Sequence, residues 1–113
     1  MTEHFIDLTD GTRLEVKVNF GTLYFLQKCK GFYRKMKKVE RKAKLTESES
    51  FETAADIVYA VLRSNGKAVT RDEAVCLVPA DLKGLESVLT GFQEEYSKYS
   101  KKKAAKTSVM PGQ

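Results

Sequence analysis

The side chains able to do chemistry in this sequence are few and poorly spaced for it. His4 is the single histidine, so a histidine dyad or a histidine-rich metal site has no second member. Cys29 and Cys76 are the two cysteines. They lie far apart among apolar neighbours, and no CxxC or Cys/His cluster points to zinc. Both read as reduced thiols behaving as small hydrophobes. Glu47, Glu49, Glu52 and Asp56 form an acidic group that offers acid–base pairs on paper. They straddle a connection and the start of a helix, where carboxylates favour the macrodipole and face water. Asp72 and Glu73 stand in a second such helical turn. The glycines lack the spacing of a phosphate-cradling loop. The expectation is a protein that is not an enzyme, with no catalytic residue, cofactor or metal.

Charge is distributed unevenly. The formal net charge is +5. Residues 28–44 hold seven Lys and two Arg against the lone acid Glu40, a local +8, which leaves the rest of the chain at −3. Such a segment suits contact with a polyanion, with Phe32 and Tyr33 placed to stack on bases. It equally suits a solvated arm that meets an acidic protein. Arg34, Lys37, Lys38, Arg41 and Lys42 are its candidate partner-binding residues. A second candidate surface is the stripe Phe92, Tyr96 and Tyr99, which extends to where a small core runs out and so offers an interface.

The elements that must position these groups follow from the hydropathy pattern. The chain has 113 residues, 42% hydrophobic and 31% charged, which fits one small globular domain. No apolar run nears the ~18 residues of a membrane span, and the N-terminus lacks the pattern of a secretory signal. The expected location is the cytoplasm. Residues 3–18 read as a β-hairpin: Phe5, Ile6 and Leu8 precede Asp10-Gly11, and Leu14, Val16 and Val18 alternate after it. Asp-Gly there predicts a type I′ turn. From Phe20 the period changes to that of a helix, with Leu23, Leu26, Cys29 (or Lys30), Tyr33 and Met36 along its apolar face. Asn19 is its cap, and Phe20 is placed to staple the chain at its start. Gly31 weakens this helix by about 1 kcal/mol relative to Ala, so its basic continuation toward Lys44 is expected to protrude. Ser48 or Ser50 is the expected cap of a helix over residues 51–64, ended by Asn65-Gly66. Thr70 and Glu73 form a capping box ahead of a short helix, and Asp81 caps the last. The expected fold is α+β, of ββααα type: an N-terminal β-hairpin followed by three or four packed helices. Residues 1–100 make this domain, and 101–113 are read as a Lys-rich disordered tail.

The order of parts carries a resemblance. The run Leu14-Glu15-Val16-Lys17-Val18-Asn19-Phe20-Gly21 enters a helix with Leu23 and Leu26. Ala54-Ala55-Asp56-Ile57-Val58-Tyr59-Ala60-Val61-Leu62 follows, and then Thr70-Arg71-Asp72-Glu73-Ala74-Val75. Over about residues 5 to 100 this resembles the tail assembly chaperones of long-tailed, siphovirus-type bacteriophages of Gram-positive bacteria. The resemblance implies a non-enzymatic protein of the host cytoplasm, absent from the mature virion. It would bind the tape measure protein and promote assembly of the tail tube protein. It also implies self-association and a frameshifted longer form. The alternative, from the residues alone, is a small basic nucleic-acid-binding or regulatory protein.

Overall fold

Alternation of apolar and polar side chains about a glycine turn makes the N-terminal hairpin. Strand β1 (Phe5–Asp7) pairs antiparallel with β2 (Arg13–Glu15), with Ile6 opposite Leu14. Ile6, Leu8, Leu14 and Val16 turn into the core, while Phe5 and Asp7 face water, as a period of two requires. The computed structural model describes residues 4–41 and 43–109, with side chains to residue 100. The turn differs from the type I′ expectation. Leu8 N–H donates to Thr12 and Gly11 N–H donates to Leu8, and Gly11 has φ 89°. That is a three-residue loop closed by a left-handed glycine.

Among the described residues five helices follow, rather than three or four. Helix α1 (Phe20–Gln27) starts at Asn19, whose side chain accepts from Thr22 N–H while the Thr22 hydroxyl accepts from Asn19 N–H. Phe20 does not staple this start, because its side chain is 71% exposed. The extra helix comes from Gly31. Helix α1 stops at Gln27, and Gly31, with a φ of 75° in the left-handed region, redirects the chain and caps the start of α2 (Phe32–Glu40). Phe32, Lys35 and Met36 are thereby buried. The expected protruding arm is, over α2, a packed helix.

This break gives Gly31→Ala a sign. Within one continuous helix the substitution would raise stability by about 1 kcal/mol. With a left-handed φ it is expected to lower stability by about 1–2 kcal/mol. Urea unfolding separates the two, and a gain would refute the break.

Helix α3 (Glu47–Ser64) starts one turn earlier than residue 51. Its cap is Thr46, not Ser48 or Ser50, and Thr46 and Glu49 form a reciprocal capping box. The box was hidden in the polar run that reads as a connection. Thr70 and Glu73 build the same device ahead of α4 (Arg71–Leu77). Gly66, at φ 86°, terminates α3, and Lys67 N–H reaches back to the Leu62 carbonyl. Helix α5 (Leu82–Val109) is capped by Asp81, which accepts from Gly84 N–H at 3.0 Å. Its backbone continues past the expected domain boundary at residue 100, and residues 110–113 of the expected tail lie outside the described residues.

Helix α3 is the axis of the fold and packs against α1, α2, α4 and α5, while β1 lies along α5. Ala54, Ala55, Ile57, Val58, Ala60 and Val61 are fully buried. The small residues let the surrounding helices approach closely, and the branched ones fill the space between them.

Candidate functional site

Two arrangements meet on α2: a charged seam toward α3 and an aromatic cleft toward α5. The seam begins with carboxylates at spacing i, i+3 and i+7 on α3, namely Glu49, Glu52 and Asp56. Such residues share one helix face. Across from them stand Lys38 and Lys35 of α2. Lys38 Nζ lies 3.1 Å from Glu49, and Lys35 Nζ lies 3.6 Å from Glu52 and 4.0 Å from Asp56. Arg71 of α4 closes the seam, donating to Asp56 Oδ1 at 2.8 Å.

The two central charges are buried, Lys35 at 6% and Asp56 at 3% exposure. Burial raises the Asp56 carboxyl above its ordinary 3.8, although Arg71 and Lys35 pull it down. Glu49 behaves oppositely. The Thr46 amide, then the Lys38 ammonium, hold it below its ordinary value. The acids that read as a solvated face are therefore partners of the basic segment. The missed signal was the match between acids at 49, 52 and 56 and lysines at 35 and 38. Nothing in a linear reading says that the two helices meet.

The cleft lies between α2 and α5. It encloses about 110 Å³ lined by Phe32, Tyr33, Met36, Lys37, Glu40, Phe92 and Tyr96. An aromatic series forms its floor. Phe32 meets Phe92 edge-on at 5.8 Å between centroids, and Phe92 stacks on Tyr96 at 5.9 Å. Tyr33 leans edge-on against Phe32 at its mouth, 40% exposed. Partial burial, then the neighbouring Tyr96, push the Tyr33 hydroxyl above its ordinary 10.0.

The candidate residues divide accordingly. Phe92 is 1% exposed and belongs to the core, so it supports the surface without forming it. Tyr96 and Tyr99 are half-buried, and Tyr96 lines the cleft. Lys38 is engaged with Glu49. Arg34, Lys37 and Arg41 are exposed and, among the described residues, carry no ion pair. Lys42 lies outside the described residues. The structure thus brings Tyr96 and Lys37 to one cleft. Tyr33 completes it as a lining residue, although in the sequence it reads as an apolar position of the helix and as a base-stacking ring inside the basic segment.

The remaining reactive groups sit elsewhere. Cys29 is half-buried, and its thiol is pushed up to about 12, first by burial and then by the nearby Asp56 charge. Cys76, expected among apolar neighbours, is exposed. His4 Nε2 is buried, 2.8 Å from Glu94 but without a well-directed hydrogen bond, so it reads as a contact between the N-terminus and α5. Among the described residues no group of His, Cys, Asp or Glu has the geometry to hold a metal. No helix among them is long and apolar enough to cross a membrane. No family model matches the chain, and neither a curated protein nor a solved structure matches it at a significant level.

Proposed function

We propose that this chain is a non-enzymatic tail assembly chaperone of a long-tailed bacteriophage. It acts in the host cytoplasm, binding the tape measure protein and promoting assembly of the tail tube protein. The observation that carries the reading is the α2–α5 cleft, where exposed Tyr33 and Lys37 border an aromatic floor that partly buried Tyr96 completes. A long helical client kept from aggregating needs apolar area that its chaperone does not use for its own core. Aromatic anchors beside a groove supply it to an amphipathic helix. The order of hairpin, helix, Ala-Asp helix and Thr-capped short helix adds the resemblance described above.

The test is co-expression of the tape measure protein with the full chain. Co-purification and a larger soluble fraction are expected, both reduced by Tyr33→Ala together with Tyr96→Ala. A tape measure protein equally soluble with and without the chain would overturn the reading. A second reading, a small nucleic-acid-binding protein, draws on the unpaired row of Arg34, Lys37 and Arg41 beside Tyr33. Steep loss of binding with salt distinguishes it.

A further inference from the structure

We infer that the outer side of α2 is a docking surface for an acidic amphipathic helix, one carrying carboxylates at spacing i, i+3 and i+7 beside an apolar stripe. The inference rests on the reading of the cleft as a partner site and names the chemistry of its occupant.

The inner side of α2 already shows how this helix is recognised. Lys35 and Lys38 meet the row Glu49, Glu52 and Asp56 of α3 with N–O separations of 3.1 to 4.0 Å. The same helix carries a second cationic row, Arg34, Lys37 and Arg41, whose spacing is also i, i+3 and i+7. Helical geometry puts these three on one stripe, which Lys37 joins to the cleft while Arg34 and Arg41 lie farther round the helix. Helix α3 occupies the inner side and cannot serve the outer row. The three side chains are exposed and, among the described residues, unpaired, next to exposed Tyr33 and the cleft that Lys37 lines.

Three cations at a helical repeat beside an apolar cleft are complementary to a helix with an acidic row flanking an apolar stripe. The charges set orientation and register, and the aromatic cleft supplies the apolar contact. Glu40 also lines the cleft and repels a carboxylate at its end. A partner's carboxylates are therefore favoured opposite residues 34, 37 and 41 over residue 40. A duplex nucleic acid would use the same cations but leave the enclosed cleft unfilled. The cleft favours the helix.

The experiment uses the full chain and two synthetic helical peptides with one leucine stripe. One peptide has Glu at the i, i+3 and i+7 positions, the other Lys. Wild type is expected to bind the Glu peptide at least about tenfold tighter than the Lys peptide. Arg34→Glu, Lys37→Glu and Arg41→Glu together are expected to invert that order, with folding followed by circular dichroism. If that variant does not fold, the triple Gln variant is expected to abolish the preference. Equal affinities for the two peptides, or a preference untouched by the variants, would overturn the inference. So would tighter binding to a DNA duplex with a steep salt slope. Loss of the peptide preference with tape measure capture intact defeats only this inference. A preserved preference with no capture defeats only the chaperone reading.

Discussion

Asp56→Ala is expected to lower the stability of the fold by about 3 kcal/mol, the lower end of the range for breaking a buried ion pair from one side. Asp56 accepts from Arg71 and faces Lys35 at 4.0 Å. Its loss leaves the Lys35 ammonium buried with only Glu52, at 3.6 Å, for company. Arg71 is partly exposed and recovers water. Lys35→Met is the opposite case. It removes the buried cation, fills similar space with an apolar chain and leaves Asp56 bound to Arg71, so a change within about 1 kcal/mol is expected. Added to Asp56→Ala, Lys35→Met is expected to restore part of the lost stability, a coupling that a double-mutant cycle in urea measures. Equal losses for the two single variants would show that the seam is not organised around Asp56.

The pH dependence has a sign that separates the two acids of this seam. The native carboxyl of Asp56 is raised above 3.8, so the native state keeps this proton longer than the unfolded chain does. Its contribution to stability therefore falls as pH rises from below 3.8 through the native value. Glu49 is lowered from 4.5, so its contribution is fully present above 4.5 and is lost as pH falls through the native value. Asp56→Asn is expected to remove the first slope and leave the second, as read from urea midpoints across that range.

Local signals in the sequence were enough for the hairpin, the Asn19, Thr70 and Asp81 caps and the Gly66 stop, because each depends on neighbours a few residues away. The α2 boundary was not legible. A glycine inside a periodic apolar pattern looks the same whether it weakens a helix or turns the chain, and only its φ distinguishes the two. The site was half legible. Residues 34, 37 and 41 stand out by charge, and Tyr96 by helical spacing. That Lys35 and Lys38 turn inward depends on α3 presenting acids to them, a long-range pairing with no trace in local periodicity. Phe92 reads the same as Tyr96 along the stripe, yet it lies one turn deeper, against Phe32.

That difference in depth sets the second large effect. Phe92→Ala is expected to destabilise the protein by about 3–5 kcal/mol, the range for deleting a buried aromatic ring. Its ring is 1% exposed and joins α2 to α5, edge-on to Phe32 and stacked on Tyr96. The cavity left behind removes the apolar hold on α2, and the seam with α3 then becomes its main attachment. Amide exchange in α2 is expected to accelerate more than in α3, which is also held by α1 and α4. Tyr96→Ala with Tyr99→Ala acts differently. Both rings are half-buried, and the stacking of Tyr96 on Phe92 contributes about 0.5–1.5 kcal/mol beyond area burial. The double variant is expected to stay folded with a small drop in melting temperature while losing partner capture, because the part of each ring still open to water is buried only when a partner arrives. A thermal melt beside a pull-down decides it. If the tyrosine pair unfolds the chain as Phe92→Ala does, both rings belong to the core, the cleft has no surface to offer, and partner binding falls to the cationic row of α2 alone.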